Sequence, residues 1–240
     1  MGVLKGKTAV VTGAGRGIGK AIALGYAREE AALVCAARTL AEIESTAEQI
    51  SQSGGKALAV QTDVTDPGSV QNLFSTANRE YGGPDILVIN AGIYGDHAPL
   101  AESSPEDWEA VLRVNLLGAY TCAREVIPYM KQRGAGKIIT VGSGLGHRGV
   151  PGSSAYACSK AGLWMLTRVL AQELASDHIS VNELIPGPVV TEGNPDSSTT
   201  LGSTEWVKQP EDVVPLAVFL AQQPDMGPTA QSYSLMRRAP

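Results

Sequence analysis

The chain reads as an α/β domain built on a doubly wound sheet of about seven mostly parallel strands, with helices on both faces. Three observations predict this. Short β-rich runs alternate with longer amphipathic runs almost to the C-terminus; the β-rich runs are mostly continuous in apolar character; and glycine, proline or aspartate bounds them. Continuous apolar strands belong to sheets covered on both faces. Strand–helix alternation implies right-handed βαβ units and a parallel sheet.

The expected strands are residues 8–11, 33–36, 57–60, 86–89, 137–141 and 180–184, with a weaker one near 231–235. Between them, Val70, Leu73, Phe74 and Ala77 form an apolar stripe at helical spacing, and Trp108, Val111, Leu112 and Leu116 form another. Leu163, Leu166, Val169 and Leu170 continue the helix that carries Tyr156 and Lys160. Residues 191–204 are rich in Ser, Thr, Gly and Pro and read as a loop, so a short substrate loop is expected at about 191–206. No repeat or low-complexity linker interrupts the pattern. At 240 residues the chain suits one core, and residues 1–240 are expected to form a single domain.

Composition narrows the function classes. A net charge of -5 leaves no basic footprint, which argues against nucleic acid as the partner. Cys35, Cys122 and Cys158 are odd in number, widely spaced and without a CxxC pair, so reduced thiols are expected. No apolar run approaches the ~20 residues that span a bilayer. The first seven residues lead straight into a strand with no signal peptide ahead of them. The expectation is a soluble cytoplasmic protein with a small-molecule partner and no membrane contact.

Immediately after the first strand comes Thr12-Gly13-Ala14-Gly15-Arg16-Gly17-Ile18-Gly19. Glycines there let the chain turn tightly and bring backbone N–H groups to a pyrophosphate at a helix N-terminus. Two better-known motifs do not fit. For GxxxxGK[ST], Ala14 stands where the first glycine belongs and Ala21 follows Lys20; for GxGxxG, the frames from Gly13 and Gly15 end on Ile18 and Lys20. What fits is Gly13-x-x-x-Gly17-x-Gly19.

Tyr156 and Lys160 stand four residues apart, with Ser143 upstream. A helix brings such positions onto one face. A free phenol titrates near ~10 and is a poor base at neutral pH, and a cation held close lowers that value. Bringing it to about 7 takes about 4 kcal/mol of differential interaction. Alone, the pair also describes a solvated helix face, and a glycine turn also occurs without a ligand; their combination points to a site.

Taken together these motifs resemble the classical branch of the short-chain dehydrogenase/reductase family, over nearly the whole sequence. The turn Gly13, Gly15, Arg16, Gly17, Ile18, Gly19 matches the family's cofactor turn, and Asn90-Ala91-Gly92 matches its Asn-Ala-Gly motif. Asn115 sits where the family places a catalytic asparagine, Ser143 precedes Tyr156 by the usual interval, and Pro186-Gly187 matches the turn beside the nicotinamide. The resemblance implies a Rossmann-type domain, a homo-oligomer (dimer or tetramer), and hydride transfer between a nicotinamide and a carbonyl or secondary alcohol. In it Tyr156 is the general acid/base, Lys160 lowers the tyrosine pKa and bonds the nicotinamide ribose, and Ser143 donates to the substrate oxygen. For Asn115 two readings stand together: the family's water relay to Lys160, and a buried amide bonded to neighbouring backbone. The nearest family members in character are 3-oxoacyl-(acyl-carrier-protein) reductases, so reduction of a 3-oxoacyl thioester or ketone is favoured. The alternatives are a sugar or polyol dehydrogenase and a nucleotide-binding regulatory protein on the same scaffold.

The cofactor is read at the end of the second strand, where an acidic residue would bond the ribose 2′-hydroxyl. Here Ala37 is followed by Arg38, with Arg16 in the glycine turn, a pair of guanidiniums that suits a 2′-phosphate. NADP(H) is therefore expected; the competing reading makes Arg38 an exposed loop residue and Arg16 a cap. Asp63-Val64 resembles the family's adenine-contacting pair, while Thr12 and Asn90 read as structural. His147, entering the cleft loop with Arg148, either touches substrate or is simply exposed, and His97 and His178 read as surface residues. No His/Cys/Asp/Glu cluster has metal spacing, so no metal is expected. The chain departs from the family at Ile89, where another asparagine is common, and at residues 231–240, which lack the usual Gly-Gly pair.

Overall fold

In the computed structural model, which describes residues 1–191 and 206–236, seven strands form one sheet. The strands are β1 (Thr8–Thr12), β2 (Ala32–Ala37), β3 (Lys56–Gln61), β4 (Ile86–Ile89), β5 (Gly136–Val141), β6 (Ile179–Ile185) and β7 (Ser232–Ser234). Their order is β3-β2-β1-β4-β5-β6-β7, and every neighbouring pair is parallel. The expected strand near 231–235 is thus a real edge strand, with Ser232 opposite Glu183 in register. Residues 192–205, which hold most of the expected substrate loop, and 237–240 lie outside the described residues.

The helices are α1 (Gly17–Arg28), α2 (Leu40–Gln52), α3 (Pro67–Tyr81), α4 (Pro105–Leu112), α5 (Gly118–Arg133), α6 (Ser154–Glu173) and α7 (Val214–Ala221). Alternate strand residues point to opposite faces, so each strand feeds two cores. Val10, Val34, Leu87, Ile138 and Val181 pack under α3, α5 and α6 with Phe74, Val126, Met130 and Leu163. Val11, Leu33, Cys35, Val88 and Leu184 pack under α1, α2 and α7 with Ile22, Tyr26, Ile43 and Leu220. Covering both faces explains why β1, β4, β5 and β6 are buried at every position.

Local sequence sets the helix ends. Asp66 caps α3 by accepting from the Gly68 N–H, Pro67 occupies the first turn, and Gly82 closes the helix in the left-handed region at φ 76°. The stripe from Trp108 to Leu116 is one continuous helical path, but it is not uniform: a π-helical turn over Arg113–Leu117 joins α4 to α5. Such a turn re-aims the residues within it, and π-turns often occur at functional sites. Asn115 stands in the middle of this one.

Candidate functional site

The sheet order reverses direction between β1 and β4, and in doubly wound sheets ligands bind outside the carboxyl ends of the strands at such a point. A cleft of about 860 Å³ opens there. Its lining includes all but one of the sequence-predicted cofactor residues: Gly13, Gly15, Arg16, Gly17, Ile18, Arg38, Asp63, Val64, Asn90, Ala91, Gly92, Tyr156, Lys160, Pro186 and Gly187. Of the expected catalytic group it brings together Ser143, Tyr156 and Lys160, but not Asn115.

Gly19 is the exception among the cofactor residues. Its role is packing: a Cβ there would stand 2.2 Å from the Gly13 carbonyl oxygen, so glycine lets α1 close against the turn. Gly13 and Gly17 have φ of 68° and 53°, in the left-handed region where side chains are disfavoured. Thr12 and Asn90 bind the turn to the strand ends. The Thr12 hydroxyl donates to the Val88 carbonyl at 3.3 Å and accepts from the Asn90 and Ala91 N–H groups at 3.0 and 3.1 Å. The Asn90 amide donates to the Thr12 carbonyl at 2.9 Å.

Towards the β2 and β3 side of the cleft the lining includes Ala37, Arg38, Asp63 and Val64, and Arg16 of the glycine turn lines it too. Asp63 is fixed by its own turn: its Oδ1 accepts from the Thr65 N–H at 2.9 Å and hydroxyl at 2.8 Å. The Thr65 backbone bond, aided by its hydroxyl and by Arg38, holds the Asp63 carboxyl below the usual carboxylate range. Glu42 also lines this end, lying against Gly15. It sits in the first turn of α2, one helical turn beyond Arg38, and nothing in its sequence context marks it as a cleft residue.

At the other end α6 delivers Tyr156 and Lys160, and the turn after β5 delivers Ser143. The Tyr156 ring stacks on Tyr94, with centroids 4.8 Å apart and planes 24° apart. Burial raises the Tyr156 pKa above its ordinary value, Tyr94 adds to that, and a hydrogen bond with Ser143 pulls it down. Lys160 is 5% exposed, and its ammonium donates to the Val141 carbonyl at 2.8 Å, 5.7 Å from the Tyr156 ring centroid. Burial lowers its pKa to about 8, opposed by the carboxylate of Glu183. The ammonium is thus directed at the Val141 carbonyl, while Ser143 hydrogen-bonds the phenol.

Asn115 lies beneath the cleft floor, 1% exposed. Its Oδ1 accepts from the Ile93 N–H at 2.8 Å, and its Nδ2 donates to the Ile93 carbonyl at 2.9 Å and the Ser159 hydroxyl at 3.0 Å. It ties the segment after β4 to α6 just beside Lys160. His97 is exposed, as expected, and also lines the cleft, where its Nδ1 is 3.3 Å from the Ser153 hydroxyl. His147, expected to be a substrate contact or simply exposed, is an exposed residue whose Nε2 also pairs with Glu183 at 2.9 Å. Arg148 lines the cleft. Sequence reasoning missed Tyr94, Glu183 and Met236. The last belongs to the C-terminal segment and lines the cleft, so near the Ser143 turn that a Cβ at Gly144 would stand 2.3 Å from its sulfur.

A parallel doubly wound sheet, with a glycine turn at its switch point and a half-buried phenol and a buried ammonium in the same cleft, defines a dinucleotide-binding oxidoreductase scaffold. The short chain dehydrogenase family profile matches residues 7–202, and the chain belongs to that family of oxidoreductases, which act on CH–OH and C=O groups with nicotinamide cofactors. It is 38% identical over 234 residues to a short-chain type dehydrogenase/reductase of Picea abies, covering 91% of this chain and 86% of the relative. A 3-oxoacyl-(acyl-carrier-protein) reductase of Thermotoga maritima is 35% identical, covering 95% of both chains. A solved structure described as an NAD(P)-dependent gluconate 5-dehydrogenase from Beutenbergia cavernae, with bound NADP at low occupancy, superposes with a TM-score of 0.86 at 38% identity. The match covers 96% of this chain and 95% of that one. The protein resembles these relatives in sequence and fold.

Proposed function

We propose that the protein is an NADP(H)-dependent oxidoreductase that interconverts a carbonyl and a secondary alcohol, with reduction of a 3-oxoacyl thioester or ketone favoured. The observation that carries this reading is one cleft that holds Tyr156, Ser143 and Lys160 at one end and two arginines beside Ala37 at the other. The cleft fits the cofactor: Gly13, Gly17 and Gly187 leave backbone open where side chains would intrude, and the N-terminus of α1 faces the turn. The turn would hold the pyrophosphate, Asp63 and Val64 the adenine, Arg16 and Arg38 the 2′-phosphate, and Lys160, Asn90 and Pro186-Gly187 the nicotinamide half. When bound, the nicotinamide supplies or accepts the hydride.

The chain's own residues manage the proton. Tyr156 donates it to the developing alkoxide in reduction and accepts it in oxidation. A phenol whose pKa burial keeps high is a willing holder of that proton at neutral pH. Ser143 sits beside the phenol and donates toward the same substrate oxygen. Asn115 acts by position, holding the segment after β4 against the helix that carries Tyr156 and Lys160. Tyr94, stacked on Tyr156, forms a wall against which a substrate lies.

The Thermotoga relative's name supports a thioester substrate, and the Beutenbergia structure's title supports a sugar acid as the second reading. Following NADPH oxidation against a panel of 3-oxoacyl thioesters, simple ketones and keto sugar acids separates them. Turnover of one class assigns the substrate. Tight NADPH binding with no turnover anywhere in the panel would instead support a regulatory protein on this scaffold.

A further inference from the structure

Glu183 lies in β6, 0% exposed, and is the one charged residue of that strand. A buried carboxylate is costly unless it is bonded and paired, and this one is held from two sides. The His147 Nε2 lies 2.9 and 3.2 Å from its two oxygens, and the Ser232 hydroxyl of β7 donates to it at 2.5 Å. The position at 142 is cut to fit: a Cβ there would stand 1.9 Å from Glu183 Oε1, so only glycine admits the carboxylate. Val141, the neighbour of Gly142, presents the carbonyl that receives the Lys160 ammonium. The carboxylate and the ammonium therefore flank the same short piece of β5, both removed from water. His147 is 30% exposed at its side chain and reaches the pair from the turn that begins at Ser143.

We infer that Glu183 is the counter-ion of Lys160 and that His147 fixes the carboxylate in that role, so that the two are positioning residues for the candidate catalytic group. The inference rests on the oxidoreductase reading for its consequence in catalysis, but not for the pairing itself. Lys160 makes its hydrogen bond to a neutral carbonyl, so its charge is supported through space; in a site of low dielectric that field is strong. The titratable groups around it are Tyr156 on its own helix, Tyr94 stacked on that phenol, Glu183 on β6 and His147 on the turn after β5. The helical segment packed on α6 brings it the uncharged Asn115, at Ser159, and Leu116, at Gly162. Of these, only Glu183 opposes the effect of burial on the amine. Because His147 grips the same carboxylate, the Ser143 turn and the Lys160 charge are set by one group.

The test is a titration of Lys160 in the full-length chain labelled with ¹³C-lysine, its resonance identified by its loss in Lys160→Met. In Glu183→Gln, which keeps the shape and removes the charge, the midpoint is expected to fall by about 1 pH unit or more. The alkaline limb of kcat/KM for ketone reduction should move the same way, with the ketone KM unchanged. Glu183→Asp, which restores the charge, should recover most of the shift. A merely structural pair would lower stability in all these variants and leave the midpoint alone. If Glu183→Gln does not fold, Gly142→Ala/Glu183→Ala, in which the new methyl fills the space left by the carboxylate, is titrated instead with the same expectation. An unmoved midpoint in a folded variant overturns the inference. A moved midpoint in a protein that reduces no carbonyl leaves the pairing intact and overturns the oxidoreductase reading.

Discussion

Arg38 leaves the end of β2 where Ala37 offers no carboxylate, and the two line the cleft with Arg16. In a charge-assisted hydrogen bond each guanidinium is worth about 1.5–3 kcal/mol, enough to set a preference between cofactors that differ by one phosphate. Arg38→Ala is therefore expected to weaken NADPH binding by about 10- to 100-fold and to leave NADH binding little changed, as read by fluorescence titration with each. Equal losses for both would remove Arg38 from 2′-phosphate recognition. At the same scale, Asp63 illustrates a residue with two duties. It lines the cleft, and its carboxylate also accepts from the Thr65 N–H and hydroxyl, so it fixes the shape of the turn as well.

Secondary-structure elements carry the geometry that single residues cannot. The π-helical turn between α4 and α5 brings Asn115 inward, where its amide satisfies both polar groups of Ile93 and the Ser159 hydroxyl. Asn115→Ala strands those partners, and each buried group left unpaired costs about 1–3 kcal/mol. The variant should unfold at clearly lower urea concentration than the wild type, and its rate should fall as the segment after β4 loosens; an unchanged urea midpoint would show that the amide is not structural. The central strands were legible because parallel strands buried on both faces are written as apolar runs between breakers, whereas the edge strands β3 and β7 are only partly buried. The π-turn was not, since one extra residue in a helical path leaves the apolar spacing of Trp108, Val111 and Leu112 intact. Glu183 was hidden for a related reason. A single acid in β6 does not interrupt a strand, and its partners His147 and Ser232 come from the turn after β5 and from the next strand, 36 and 49 residues away in the chain.

Across the whole molecule, apolar side chains remain exposed on helices that are already packed on the sheet: Leu117 and Tyr120 on the α4–α5 path, Met165 and Val169 on α6, and Phe219 on α7. A surface of this kind points to burial between copies, and a homo-oligomer is expected; light scattering at micromolar concentration that gave the mass of a single chain would contradict it. Most of the cleft could be read from the sequence because its motifs are local, each a turn at a strand end. Its closure by Tyr94 and Met236 could not, because it depends on how distant segments meet. In the proposed function this cleft joins cofactor binding to proton transfer at Tyr156, and Tyr156→Phe probes that link at a single atom, since only a hydroxyl is lost. Steady-state carbonyl reduction and a separate NADPH titration are measured on the same preparation. Turnover is expected at or below the detection limit, with NADPH affinity within about twofold of wild type, because the lost group acts on the proton in the transition state. Near-normal reduction by Tyr156→Phe would contradict that link.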